Sequence, residues 1–211
     1  AGGSMSTGKE SVIIGGLAGD ALTTGTRNTL IGHTAGSALV EGGSNVAVGY
    51  QALLSEDAHG ANVAVGYNTL GTQNAGADAF NVAVGYNAGT AVTTGTMNTL
   101  VGALTGDALT TGSFNVAIGR SALSTEDGHG RNVAVGYAAL ETQNAGADAY
   151  NVAVGFNAGN AITTGIRNIL IGGHTGDALT DGNYNTAVGY QALSDDDQGE
   201  YNTAMGYFAL E

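Results

Sequence analysis

The chain has 211 residues and a net charge of −13, with only five Lys or Arg and no Cys, Pro or Trp. So acidic a chain offers no basic surface for phosphates, which argues strongly against nucleic acid or an anionic membrane as a partner. No disulfide or thiolate metal site can form, no apolar stretch approaches membrane-spanning length, and 37 glycines weaken any helix.

Residues 1–10 read as a leader. Ala1-Gly2-Gly3-Ser4-Met5 looks like an expression scar, and no signal peptide follows. From Ser11 a five-residue unit returns twelve times: a polar residue, two mostly apolar β-formers, Val, Ile or Met, then Gly. The first is Ser11-Val12-Ile13-Ile14-Gly15. The others begin at Asn28, Asn45, Asn62, Asn81, Asn98, Asn115, Asn132, Asn151, Asn168, Asn185 and Asn202. They close at Gly32, Gly49, Gly66, Gly85, Gly102, Gly119, Gly136, Gly155, Gly172, Gly189 and Gly206. Successive starts keep one period of 17, lengthened to 19 after Asn62 and again after Asn132. The return of the long step makes every four units one larger block. The chain divides into blocks 11–80, 81–150 and a truncated third, 151–211, ending in the middle of a coil as a fragment of a longer protein would.

A period of 17 is too short for helix-pair repeats or propeller blades, and Val46-Ala47-Val48 is a β-run closed by a turn residue. The expected fold is all-β: a parallel β-solenoid, or β-roll, of about twelve 17–19-residue coils. At ~4.8 Å per coil the stack is roughly 55–60 Å long. A second short strand is expected at the recurring Ala-Leu pair (Ala21-Leu22, Ala52-Leu53, Ala122-Leu123, Ala192-Leu193). The pair comes late in the first two coils of a block and early in the next two, so the cross-section should alternate in pairs.

Positions 2 and 4 of the unit lie on one face of the strand and position 3 on the other. Both faces are apolar, which is the pattern of a strand covered on both sides. A thin coil has one interior and the chain has no helix to cover the other face, so a second copy of the chain is expected there. The recurrent Ala at position 3 would suit close approach of that neighbour.

The first-position Asn residues are expected to form a structural ladder, with amides bonding from coil to coil or capping turns. The fifth-position Gly residues should hold positive-φ turns. Aromatics follow this Gly in seven units, and Tyr50, Tyr67, Tyr137 and Tyr190 are candidates to pack on sugar rings, against corner packing as the plainer reading. The loops carrying Glu56, Asp57 and His59, and Glu126, Asp127 and His129, combine carboxylate with imidazole. They are candidates for a cation, against a solvated acidic edge. Gly172-Gly173-His174-Thr175-Gly176-Asp177 nearly matches a calcium-binding nonapeptide, and Thr23-Thr24-Gly25-Thr26 hints at an ice-ordering surface. No nucleophile elbow or His-Glu-x-x-His motif is present, so no enzyme activity and no cofactor are expected.

Asn-x-Ala-Val-Gly-Tyr-x-Ala-Leu, at Asn45–Leu53 and Asn185–Leu193, resembles the repeats of bacteriophage tail-fibre proteins. Asn115-Val116-Ala117-Ile118-Gly119 is similar to the head repeats of YadA-type trimeric autotransporter adhesins. The likeness runs from Ser11 to Glu211. It implies a left-handed β-roll in a homotrimer, on a virion or an extracellular bacterial surface, forming the shaft or head of a fibre involved in host attachment. The adhesin alternative would bind host glycan, matrix or a protein receptor. An ice- or calcium-binding solenoid is the third alternative.

Overall fold

The computed structural model describes residues 1–211. Twelve three-residue strands, β1 (Val12–Ile14) to β12 (Thr203–Met205), form one parallel sheet in strict sequence order, with no helix. Each strand pairs with the next in full register, as in Val116↔Val133, Ala117↔Ala134 and Ile118↔Val135 between β7 (Val116–Ile118) and β8 (Val133–Val135). The chain is a β-solenoid of about eleven turns, each rung of which completes the hydrogen bonding of the one before.

The expected second strand is absent. Ala52-Leu53 and its equivalents lie in turns. Leu53, Leu70, Leu123, Leu140, Leu193 and Leu210 all have φ between 49° and 57°, outside the β region. At the same place in the other coils stand Gly19, Gly36, Gly89, Gly106, Gly159 and Gly176, also at positive φ. Late coils therefore use Gly here and supply their large side chain three residues further on. A Cβ at Gly36 would lie 2.8 Å from Leu30 and 3.2 Å from Leu39. Early coils use the turn Leu itself as core. The paired alternation conserves filled volume by shifting which position fills it.

The two faces of the strand are assigned opposite to the close-approach expectation. Position 3 points inward: from Leu30 to Ala204 these side chains are buried in one continuous core cluster of 29 residues, against which the half-buried Ile13 of the first coil packs. It is not available to a neighbour. Positions 2 and 4 point outward and are half-buried or exposed, including Val82, Ile118, Ile169, Ile171 and Met205. The narrow interior has room for a small or single branched side chain behind the strand, which accounts for the recurrent Ala.

Four positions recur as left-handed in every coil, and the two 19-residue coils add a fifth at Gly76 and Gly146. In the second coil the four are Arg27, Gly32, Thr34 and Gly36. At the strand-closing Gly102, with φ 142°, a Cβ would collide with the Gly119 carbonyl of the next coil. The residue before each repeat unit is left-handed in all twelve coils and never Gly: Glu10, Arg27, Ser44, Ala61, Phe80, Met97, Phe114, Arg131, Tyr150, Arg167, Tyr184 and Tyr201. Residues 2–10, read from sequence as a leader, stack on the first coil, with the Gly2 N–H donating to Ala18 O at 2.9 Å and the Arg27 N–H to Lys9 O at 3.1 Å.

Candidate functional site

The first-position side chains from Asn28 to Asn185 are buried and committed inside the rod. Asn28 Oδ1 accepts the Asn45 N–H at 3.0 Å, Asn45 Oδ1 accepts the Asn62 N–H at 3.1 Å, and the chain of bonds continues to Asn202. Ser11 Oγ starts it, accepting the Asn28 N–H at 3.1 Å. Most amide NH2 groups also donate to a carbonyl 14 residues on, near the end of the same coil, as Asn98 Nδ2 does to Gly112 O at 2.9 Å. This ladder closes donors and acceptors that the three-residue strands leave open, and it presents nothing to a ligand.

The exposed sheet face is an uncharged stripe of Val, Ile, Thr and Met at positions 2 and 4 of all twelve strands. At one end of the strands runs a ring ladder. His33, Tyr50, Tyr67 and Tyr86 stack with centroids 5.6, 5.2 and 5.3 Å apart. Tyr137 stacks on Phe156 at 5.2 Å and Tyr190 on Tyr207 at 5.6 Å. Tyr50, Tyr67, Tyr137 and Tyr190 are thus exposed, but a stacked neighbour occupies at least one ring face of each, the surface a sugar would need. At the other end Arg131 lies between the rings of Phe114 and Tyr150, at 5.4 and 5.5 Å from their centroids, and Arg167 between Tyr150 and Tyr184 at 6.0 and 5.4 Å. These residues precede the Asn, and their left-handed backbone lets the side chains stack along the axis.

A third feature lies inside. Eleven residues after each Asn comes a core position held by Leu39, Val92, Leu109, Ile162 or Leu179 in late coils. In early coils the same place holds Glu56, Gln73, Glu126, Gln143 and Asp196. Glu56, Gln73, Glu126 and Gln143 are fully buried. The solvated-edge reading therefore fails for Glu56 and Glu126, because the register of the coils turns them inward; Asp57 and Asp127 do face solvent. Gln73 is satisfied, accepting from Asn81 Nδ2 at 2.7 Å and donating to Thr93 O at 3.1 Å. Asp196 accepts from the Gly199 N–H at 2.7 Å and from Asn202 Nδ2 at 3.0 Å.

The two glutamates are not satisfied. Glu56 Oε1 accepts the His59 N–H at 3.2 Å and Glu126 Oε1 the His129 N–H at 3.0 Å. The His Nδ1 atoms lie 3.7 and 3.4 Å from those oxygens. Glu56 Oε2, His59 Nδ1 and Asn62 Nδ2 are buried without partners, and so are Glu126 Oε2, His129 Nδ1 and Asn132 Nδ2. Burial raises the pKa of both carboxyls, opposed by the hydrogen bond from the His backbone. Donor atoms of Glu56, Asp57 and His59 all lie within 4.8 Å of one another, as do those of Glu126, Asp127 and His129.

The other sequence candidates close on themselves. His174 Nδ1 meets Asp177 Oδ2 at 2.7 Å, which ties up the near-nonapeptide. In the two Thr-Thr-Gly-Thr segments, 23–26 and 93–96, Thr23 Oγ1 donates to Val40 O at 3.0 Å and Thr93 Oγ1 to Thr110 O at 3.2 Å, so these hydroxyls bridge coils. No helix is long and apolar enough to cross a membrane. Comparison with protein-family models, with curated proteins and with solved structures found no match to this chain.

Proposed function

We propose that the chain is a rigid structural segment of a surface fibre, built as a left-handed homotrimer that packs through the exposed sheet face, and that it acts in host attachment by spacing or presenting a receptor-binding part. The observation that carries this is the stripe at positions 2 and 4. Twelve strands offer an apolar, uncharged face along the whole rod. A soluble monomer seldom leaves so long an apolar patch uncovered. A second and third copy are the fitting cover: the stripe has a constant repeat, and the charges that give each chain −13 lie off it, so like copies meet without burying like charge.

The likeness of the repeats to phage tail fibres favours a virion over a bacterial surface, with the adhesin head as the second reading. The molecule needs no catalytic group for this role. Its work is mechanical, through axial ladders and lateral apolar contact. Light scattering at several concentrations tests the assembly: a trimer mass is expected, and a folded monomer at all concentrations would refute it. Binding to host cells carrying the intact receptor tests the role in attachment.

A further inference from the structure

We propose that the two Glu-Asp-x-His loops are twin binding sites for a divalent transition cation of the zinc type, one in each of the first two blocks and none in the third. The donors would be Glu56, Asp57 and His59, and Glu126, Asp127 and His129.

The donor set and its spacing fit such an ion. Two carboxylates and one imidazole nitrogen converge within 4.8 Å in each loop. Two ligands held at about 2.1 Å in tetrahedral geometry stand about 3.4 Å apart. Glu126 Oε1 and His129 Nδ1 are 3.4 Å apart, and the first-block pair 3.7 Å, while the unpartnered oxygen is Oε2, the other atom of each carboxylate. An exposed Asp and a partly exposed imidazole leave an entry path from solvent and a fourth position for water.

A second observation is independent of the cluster. Each glutamate is fully buried with one carboxylate oxygen unpartnered, beside an unpartnered imidazole nitrogen, and the pattern is the same in both blocks. Buried polar atoms are nearly always paired, so the same orphan pair appearing twice marks a missing partner. Asn62 Oδ1 is used by the Asn81 N–H at 3.1 Å, which fixes its NH2 as a donor. In the third block the amide at that place reaches the core carboxylate, from Asn202 Nδ2 to Asp196 Oδ2. In the first two blocks it would support a bound carboxylate or a metal-bound water.

The third block supplies an internal contrast. Asp196 is shorter, has no His three residues on, and has both oxygens paired within the chain. A hard cation fits the first two loops less well. Calcium takes about 6–8 oxygen ligands, whereas the nearby backbone oxygens are already used: His59 O accepts from Asn45 Nδ2 at 3.2 Å and Asp57 O from the Glu41 N–H at 3.2 Å.

The test is zinc titration of the chelator-stripped protein by calorimetry, with cobalt absorption as a report on geometry. Two ions per chain are expected, one in H59Q or H129Q, and none in the double variant, with each lost ligand weakening its site at least about tenfold. Zinc should raise the melting temperature of the wild type and leave that of the double variant unmoved. H174Q controls for the other His-carboxylate pair and should retain two ions. Absence of binding at millimolar zinc, or equal binding by the wild type and the double variant, overturns the proposal.

Discussion

Leu39 and Glu56 occupy the same position in adjacent coils, one period apart, and both are fully buried. One coil closes its core with a hydrocarbon; the next closes it with a carboxylate whose second oxygen has no partner. The rod therefore alternates between dry and polar core segments.

Replacing the buried carboxylate by its neutral isostere should help folding when no metal is present. Gln73 and Gln143 already sit at this position one coil on, with their amides paired. In chelator-containing buffer E126Q should stabilise the chain by about 1–2 kcal/mol, the scale of an unsatisfied buried polar group. Urea unfolding followed by circular dichroism would show it, and a loss of stability would mean that the charged form is held by contacts other than those described.

The asparagine ladder should be costly to break. Asn98→Ala removes the acceptor of the Asn115 N–H, at 2.9 Å, and the donor to Gly112 O. Two buried groups lose partners, so roughly 2–5 kcal/mol should be lost. Hydrogen exchange should locate the change at Asn115. Unaltered exchange there would mean that the ladder does not hold the coils together.

Left-handed positions without glycine carry removable strain. Ala61 has φ 59°, where an L-residue is destabilised by about 1–2 kcal/mol. Ala61→Gly should stabilise by up to about 1 kcal/mol once the freer unfolded chain is allowed for. Gly102→Ala should do the reverse and more, because its new methyl meets backbone. Melting temperatures moving in the same direction for both would contradict this.

The outer stripe can be charged without touching the core. Val101 lies on it at position 4 of β6 (Thr99–Val101). Val101→Asp should leave the β-sheet circular dichroism signal of the chain in place and reduce the mass measured by sedimentation to that of one chain. A full-size assembly in this variant would mean that copies meet elsewhere.

Acid should narrow one difference. Burial raises the Asp107 carboxyl above its ordinary value of 3.8, so ionising it works against the fold. The neutral form's advantage is complete below the unfolded value and is lost as pH rises through the raised folded one. Asp107→Asn should therefore be the more stable at neutral pH and converge on the wild type below about pH 4. A gap that widens in acid would reverse the assignment.

Much of the fold was legible because the repeat states it. Spacing from Asn28 to Asn202 yields the coils, their parallel order and their register. The Ala-Leu pair misled, since an apolar pair between turn residues reads as a strand, whereas Leu53 is held in a left-handed turn by the coils above and below it. Backbone at Arg27, Met97 or Tyr150 was equally hidden. Local preference disfavours the left-handed region for such residues, and the stack overrides it. The inward turn of Glu56 was available from counting, because Leu39 plus one period lands on it. Acidic residues in a loop suggest solvent, and only the register says otherwise. The unpartnered oxygen of Glu56 could not be read at all, since a missing partner is a fact of three dimensions.

The Asn bonds lie along the axis and are joined coil to coil in series. A pull on the two ends would load every rung alike, and the weakest would part first. Extension in a force experiment should then advance in steps, each releasing one whole coil. Each step should lengthen the tether by about 50–55 Å, the extended length of a coil at ~3.4 Å per residue less its ~4.8 Å folded rise. The rod would yield as a graded shock absorber, shortening its folded part while the remainder stayed ordered.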